Sequence, residues 1–351
     1  MKKTLLFALC SAMAVSSCTK DELEVQNRTS EGEKLTFGQS VVMESRAIDK
    51  ASFVNGDKIL VNACLTEKET LGGNFTNNFM SNVPVTKVEN GYWSYEVAKF
   101  WPKDWSSRIS FVANYPSSVE PKISQGICSF YYKVNFDPAL QEDFMWASIT
   151  DAYSGDRNGT YQNGIYENPA TKPSVNVDFR FKHALSKIVF RAKASKYYDG
   201  ARINITDVNV YNLYSAGVYS LTEKLSKGSW MVTGYPYYNY TVLAGSEVVE
   251  LSSSSYKTLG HSLLTIPQTM ATEGEFIPTV TIRYTVSYPA PEQTVVEERT
   301  FPLVHKNLPN GNTWEQDMVY YYDFNIDLDM ITFDATIDKW GGSSNQEIVV
   351  Q

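Results

Sequence analysis

The stretch ITFDATID, residues 331–338, alternates apolar and polar side chains without a break. Successive side chains of a β-strand point to opposite faces of the sheet. As a strand, this stretch would turn its apolar side chains toward a core and its threonines and aspartates toward water. The apolar positions are Ile331, Phe333, Ala335 and Ile337. The stretch therefore predicts a strand with one buried face.

The same two-residue period recurs in four more segments. They are residues 109–113, 175–178, 185–194 and 278–286. The 23 tyrosines and 17 phenylalanines, with frequent Val, Ile and Thr, are the residue types that strands favour. Only residues 138–144 and 309–317 suggest helix, and both segments are short. The sequence predicts an all-β protein of β-sandwich type with short helices in its loops.

A segment without apolar periodicity divides the chain near its middle. Residues 151–174 are rich in Gly, Asn, Pro and Ser, which is typical of a loop. A chain of 351 residues is also longer than one hydrophobic core usually serves. We therefore expect two domains in tandem, residues 35–174 and 175–351.

The N-terminus has the layout of an export signal. Met1-Lys2-Lys3 precedes an apolar stretch that is too short to span a membrane as a helix. The stretch ends in Val15-Ser16-Ser17-Cys18, which resembles the lipobox of bacterial lipoproteins. In that family the signal is removed and the cysteine is acylated. The resemblance implies a signal peptide over residues 1–17, lipidation of Cys18 with palmitate, and a tether over residues 18–34.

The residues after Cys18 bear on the membrane in which the lipid anchor would lie. Lys20-Asp21-Glu22 resembles the charged signal that sends lipoproteins of Bacteroides-type bacteria to the outer leaflet of the outer membrane. The alternative is an ordinary solvated tether. With the signal, the protein is anchored in the cell outer membrane and faces the outside. Stable anchoring needs more than one acyl chain, which triacylated lipoproteins have.

Charge and cysteine content limit the partners and the covalent links. The chain has 39 acidic and 31 basic residues, a net charge of −8 and no dense Lys/Arg run, which argues against nucleic acid as a partner. Cys64 and Cys128 remain when Cys10 leaves with the signal and Cys18 is acylated. Their spacing permits a disulfide but does not predict one.

Residues suited to catalysis or metal binding form no motif. The three histidines, at positions 183, 261 and 305, have no Cys or His neighbour at metal-ligand spacing and are interpreted as structural or exposed. Residues 323–327, DFNID, resemble the first half of a calcium loop, but the glycine that such a loop needs is missing. Adjacent acids, as at 142–143 and 297–298, are expected by chance and are interpreted as solvated loop charges. We predict no enzyme activity, no metal and no cofactor.

Two aromatic clusters leave a second function open. They are Tyr235 to Tyr238 and the segment from Trp101 to Trp105. Exposed aromatic rings at these positions could stack on sugar rings, as in a glycan-binding surface lipoprotein. Packing in the core and anchoring of loops are the favoured interpretation of both clusters.

Five further stretches resemble one family when they are taken in order. They are LTFGQSVVMESRAIDKASFVNGDKILV (35–61), WSYEVAKFWPKDWSSRISFVANYPS (93–117), FRFKHALSKIVFRAKA (179–194), LLTIPQ (263–268) and TWEQDMVYYYDFNIDLDMITFDATIDKW (313–340). Behind a lipobox, this order is similar to the fimbrillin family, the pilus and adhesin subunits of Bacteroides-type bacteria. The resemblance implies two transthyretin-like Greek-key β-sandwich domains.

The resemblance also implies a route of assembly. In polymerising members a trypsin-like protease cuts after an arginine that follows the first strand, and a neighbouring subunit fills the vacated groove with its own strand. Carried to this sequence, the cut falls between Arg46 and Ala47 and releases residues 34–43. The alternative is a permanent first strand and an uncut Arg46.

The residues of the first strand fit a buried strand on their own. Leu35, Phe37, Val41 and Met43 share one face at two-residue spacing, with Gln39 as the polar interruption. Loss of such a strand would leave a groove that another strand could fill.

The C-terminal end leaves the place in a pilus open. After Trp340 only GGSSNQEIVVQ remains, in which Ile348 and Val350 could fill two pockets. Stalk, tip, anchor and accessory roles therefore all stay open. We expect a surface fimbrial subunit for cell adhesion with other fimbrial subunits as partners and a host or bacterial ligand that the sequence does not identify.

Overall fold

The computed structural model describes residues 34–340 except 39–41, 44–52, 68–70, 72–73, 90–91, 103–106, 154–158, 163–164, 170–175, 223–224, 236–237, 246, 289–293 and 329. The described chain consists of strands, connections and two one-turn 3-10 helices, which confirms the all-β class. The 3-10 turns, Pro138–Leu140 and Pro309–Gly311, lie in the two segments expected to be helical.

The strands are numbered along the chain. Before residue 184 they are β1 Thr36–Phe37, β2 Val42–Met43, β3 Lys58–Thr66, β4 Met80–Lys87, β5 Trp93–Ser94, β6 Arg108–Tyr115, β7 Pro121–Ser124, β8 Ile127–Lys133, β9 Met145–Tyr153, β10 Gly159–Gln162, β11 Ile165–Pro169, β12 Asn176–Val177 and β13 Arg180–His183. The remaining strands are β14 Ser186–Ala194, β15 Arg202–Leu213, β16 Ala216–Thr222, β17 Lys227–Thr233, β18 Tyr238–Leu243, β19 Val249–Glu250, β20 Lys257–Thr258, β21 Leu263–Thr265, β22 Gln268–Thr269, β23 Thr279–Ser287, β24 Val295–Pro302, β25 Thr313–Trp314, β26 Met318–Ile326 and β27 Ile331–Lys339.

The alternating stretch at residues 331–338 is strand β27. Its apolar side chains are buried or half-buried, whereas Thr332, Asp334 and Thr336 are exposed, as the alternation predicts. In the described sheets β27 pairs only with β26, so it is an edge strand and most of its apolar side chains stay partly exposed. The other four alternating segments coincide with β6, β12, β14 and β23.

The segment expected to be a loop between residues 151 and 174 contains two strands. β10 and β11 form an antiparallel hairpin in which Gln162 pairs with Ile165. Asn163-Gly164, between the paired residues, is among the strongest short signals for a two-residue hairpin turn. The loop prediction was therefore wrong here, because it weighed composition above turn chemistry.

The first core lies on an antiparallel sheet in the order β4–β3–β6–β9, with β13 paired to β9. Inward side chains such as Ile59, Val61 and Phe111 are fully buried in it. Residues beyond position 174 also belong to this core, namely Val177, Phe179 and Phe181. The division into two Greek-key domains at residue 174 stays a prediction.

The second core is built by two five-stranded sheets. One has the order β20–β14–β26–β27 with β21 beside β14, and the other has the order β18–β15–β23–β24 with β19 beside β15. β14 is an inner strand, with β26 on one side and β20 and β21 on the other, and side chains on both of its faces are buried along most of its length. This explains why its sequence is more continuously apolar than that of β27.

A four-stranded sheet joins residues from both sides of position 174. Its order is β17–β16–β8–β7, and every pair is antiparallel. Phe130, Tyr219 and Trp230 form one row across its inner face. A Cβ at Gly228 would overlap the ring of Tyr219, so glycine is required there for close packing.

The described residues contain neither a membrane-spanning helix nor a cluster of metal ligands. No helix there is long and apolar enough to cross a membrane. No group of three or more His, Cys, Asp or Glu side chains in the same residues is arranged to hold a metal ion.

The two cysteines of the folded region are free thiols. Cys64 and Cys128 are both buried, and Cys64 Sγ lies 3.4 Å from Thr76 Oγ1. Burial raises the pKa of the Cys128 thiol to about 12. The disulfide that the spacing permits is therefore not formed, and Cys128 is a core residue.

We expect Cys128 to resist alkylation in the native protein. With a pKa of about 12, only about one thiol in 10⁴ is ionised at pH 8, and the thiolate is the reactive form. Peptide mapping after iodoacetamide treatment should find Cys128 unmodified in the native state and modified after denaturation in guanidinium chloride. Rapid native labelling, or a peptide pair linked through Cys64, would contradict this.

Candidate functional site

The N-terminal segment of the described chain lies along residues 176–181. In β1, Thr36 and Phe37 pair in parallel with Asn176 and Val177 of β12. In β2, Val42 and Met43 pair in parallel with Arg180 and Phe181 of β13. We call the groove that holds residues 34–38 and 42–43 the first-strand slot, and residues 176–181 form one of its walls.

Residues 95–100 form the opposite wall at the start of the slot. Lys34 and Phe100 make an antiparallel bridge, and the Leu35 amide donates to the Lys99 carbonyl at 2.8 Å. The Tyr95 hydroxyl donates to the Leu35 carbonyl at 2.7 Å. Both backbone polar groups of Leu35 are thus satisfied by this wall, as burial requires.

Tyr95 is suited to bind the first strand as a hydrogen-bond donor. Burial raises the pKa of Tyr95, and the hydrogen bond from the Lys99 amide opposes that shift. The Lys99 amide donates to the Tyr95 oxygen at 3.2 Å, so the hydroxyl both accepts from one chain segment and donates to the other. The phenol therefore stays protonated at neutral pH and remains a donor to Leu35.

The apolar side chains of the first strand enter the first core. Leu35 is 0% exposed and Phe37 is 1% exposed. The Phe37 ring stacks on Phe179 with centroids 5.7 Å apart and meets the ring of Tyr95 edge-on at 5.5 Å. Phe179 in turn contacts Phe111 in the central strand of the sheet. The slot is therefore part of the core.

The cost of emptying the slot follows from this burial. Full burial of an aliphatic or aromatic side chain contributes about 1.5–3 kcal/mol, so Leu35 and Phe37 together contribute about 3–6 kcal/mol. A typical domain is stable by only about 5–15 kcal/mol. Removal of the strand would also free the backbone edge of β12 and β13, which is a template for another strand.

Several residues of the expected processing site lie outside the described residues. These are Cys18, Val41, Arg46 and Ala47. β2 ends at Met43, and the described chain resumes at Phe53, which is buried beside Phe181 and Trp93. The roles assigned to Cys18, Arg46 and Ala47 stay predictions.

A buried contact links the slot to the end of the described chain. His183, the last residue of β13, stacks on the Trp340 indole with ring centroids 4.1 Å apart. His183 Nδ1 forms a hydrogen bond with the Asp143 carboxylate, and both side chains are buried. Asp143 was expected to be a solvated loop charge, so that interpretation is corrected. The acid is buried because the imidazole provides its partner.

The remaining acids and histidines do not converge. Arg191 binds Asp323 through two hydrogen bonds of 2.7 Å each, and Asp327 accepts one from Ser195 at 2.9 Å. Asp323 and Asp327, the two acids of the partial calcium-loop pattern, thus form hydrogen bonds with different partners. His305 is half-buried, and burial lowers its pKa although the nearby Asp334 carboxylate acts to raise it. His261 is exposed.

Trp101, in the first aromatic cluster, does not lie on a surface where a sugar ring could stack. Trp101 is buried, with its ring edge-on to Phe111 at 6.1 Å, and Trp105 lies outside the described residues. In the second cluster Tyr235 is exposed, and Tyr238 lies under the Lys133 ammonium group at 5.3 Å from the ring centroid. The glycan-stacking interpretation of Trp101 is therefore wrong, because the side chain fills the first core.

Comparisons with known proteins identify a family and a shared fold. A family model described as fimbrillin-like matches residues 45–340. A search of curated proteins gives no significant match. Among solved structures, a fimbrial protein from Bacteroides vulgatus is 17% identical with a TM-score of 0.53, covering 80% of this chain and 92% of that one. A protein assigned to cell adhesion from Bacteroides uniformis is also 17% identical, with a TM-score of 0.52 and coverage of 88% and 97%. At these identities the two structures show a shared fold.

We expect Phe37→Ala to destabilise the uncut protein by about 3–5 kcal/mol, because the substitution leaves a cavity between Phe179 and Tyr95. Phe136→Ala is the matched control, since Phe136 is 72% exposed and its loss should change stability by less than about 0.5 kcal/mol. Urea denaturation followed by tryptophan fluorescence measures both. Equal stabilities of the two variants would show that the first strand contributes nothing to the core.

Proposed function

The chain belongs to the fimbrillin-like family, and from this premise we propose that it is a cell-surface fimbrial subunit for adhesion that joins its neighbours by exchange of β-strands. It acts as a structural and adhesive component and carries out no catalytic step. The observation that supports the proposal most is the first-strand slot.

The construction of the slot suits exchange of its occupant. The described residues of the first strand pair in two short segments, β1 and β2, and bridge to residues 99 and 100, and they place Leu35 and Phe37 in the core. A strand from a second subunit could make the same backbone hydrogen bonds to residues 176–181 and fill the same apolar positions. This is β-strand addition with specificity from alternate side chains.

A cut between Arg46 and Ala47 would release the first strand. The bond lies in sequence between β2, which ends at Met43, and Phe53 in the first core. After the cut, only the contacts of the slot would hold residues 34–43. A trypsin-like protease is the partner that such a bond requires.

Anchoring completes the proposal. Acylation of Cys18 would attach the chain to the outer membrane, with residues 18–34 as the tether to the slot. A cut after Arg46 would separate the folded chain from this anchor. A subunit that keeps its lipid therefore serves as an anchor of the fimbrium, and a cut subunit serves in its stalk or tip.

Stalk and tip roles make different demands on the C-terminal end of the chain. The edge strand β27 is fixed by Trp340, whose side chain is buried and whose amide donates to the Asp317 carbonyl at 2.9 Å. A stalk subunit must donate a strand, whereas a tip subunit accepts one and donates none.

Limited digestion of the purified precursor with trypsin tests the proposal. We expect a new N-terminus at Ala47, because the bond follows an arginine between two core segments. N-terminal sequencing identifies the cut, and an unboiled detergent gel shows multimers. Arg46→Ala should abolish the new terminus, whereas the control Arg28→Ala, in the tether, should leave it unchanged.

The outcomes separate the roles. A ladder of multimers after the cut indicates a stalk subunit, and a cut without a ladder indicates a tip or accessory subunit. A resistant bond indicates an anchor or a stand-alone binding lipoprotein. Multimers that form equally well with Arg46→Ala would contradict assembly triggered by this cut.

A further inference from the structure

The outer face of the four-stranded sheet β17–β16–β8–β7 carries an exposed apolar row. Val218 pairs directly with Tyr131 on one side and with Met231 on the other. Directly paired residues of antiparallel strands project on the same face. Tyr131 is 61% exposed and Met231 is 64% exposed. The row Tyr131–Val218–Met231 is therefore a surface feature built from three strands.

A row of hydroxyl groups lies beside the apolar row. Ser220 pairs with Ser129 and with Ser229, two positions along the same strands. Ser229 is exposed and the other two serines are half-buried. Lys122, at the sheet edge, pairs with Ser129. We call the two rows together the platform. It combines apolar and hydrogen-bonding groups at a spacing of two residues along each strand.

A cleft of about 450 Å³ opens at the Tyr131 end of the platform. Tyr131 and Leu140 provide its apolar lining, and Glu120, Glu142 and Asn135 provide polar groups. Leu140 is also strongly exposed, and both glutamates are exposed. One cleft thus presents an aromatic face together with carboxylate and amide groups.

Hydrogen bonds within the chain fix both walls of the cleft. On one wall the buried Asn114 amide donates to the carbonyls of Pro116 and Val119 at 3.0 and 2.8 Å. On the other wall Asp137 caps the 3-10 turn, and the Gln141 amide donates to the Asn135 carbonyl at 2.8 Å. A site whose walls are already in place loses less conformational entropy when a ligand binds.

We propose that the platform and its cleft bind a saccharide chain, with one sugar ring stacked on Tyr131. The C–H face of a sugar ring is apolar and suits an exposed aromatic ring, while its hydroxyls donate to carboxylates and accept from amides and hydroxyls. Apolar and polar groups in alternate rows match this amphipathic ligand.

The inference deepens the proposed adhesive function, because it names the class of surface ligand, and it rests on that function for its biological setting. The platform uses β7, β8, β16 and β17, whereas the slot uses residues 34–38, 42–43, 95–100 and 176–181. Saccharide binding and strand exchange can therefore be tested separately in the same chain.

The test is a printed array of bacterial and mammalian oligosaccharides probed with residues 19–351, followed by calorimetric titration of the best-bound oligosaccharide. We expect Tyr131→Ala to weaken binding about tenfold or more and Tyr131→Phe to retain most of it, because the phenyl face still stacks. The matched control is Tyr197→Ala, since Tyr197 is 78% exposed and lies outside the platform and cleft.

Two results would overturn the inference. One is the absence of binding to every oligosaccharide on the array, and the other is binding that Tyr131→Ala leaves unchanged. Trypsin digestion of the Tyr131→Ala variant, followed by an unboiled detergent gel, tests strand exchange separately from saccharide binding. If that variant fails to form multimers and the array shows no binding, the platform is a subunit contact, which also overturns the saccharide site.

Discussion

The packing of Phe37 against Phe179 and Tyr95 is the contact on which the rest of the account depends. It places a side chain from the N-terminal end of the described chain in the centre of the first core. The strand that carries it is held by few backbone pairs, so its apolar side chains provide much of its stability. In the proposed assembly, a similar strand from a neighbouring subunit would replace this element.

The slot also connects distant parts of the chain. Its wall β13 pairs with β9 and ends in His183, which stacks on Trp340 at the end of β27. The N-terminal and C-terminal ends of the described chain are thus both anchored on β13. The platform is built on other strands, so the proposed strand exchange and the proposed saccharide binding involve separate surfaces of one subunit.

The sequence predicted those features that depend on local periodicity. The alternation in β27 and the shared face of Leu35 and Phe37 follow from residue spacing alone. Pairing between residues 36–37 and 176–177 could not be predicted in the same way, because it joins segments far apart in sequence. The apolar row of the platform depends on the register of three strands. The local sequence around Tyr131, Val218 or Met231 does not predict that register. Trp101 illustrates the same limit, since aromatic residues suit a core as well as a surface.

Hydrogen–deuterium exchange at residues 176–183 tests the central claim most directly. The comparison uses a chain of residues 19–351, a chain of residues 47–351, and the latter with an excess of a peptide of residues 34–46. The account predicts protected amides in the first sample, faster exchange in the second, and restored protection in the third. A peptide with Phe37→Ser should restore little. Equal protection of residues 176–183 with and without the first strand would contradict the claim that this strand occupies and completes the slot.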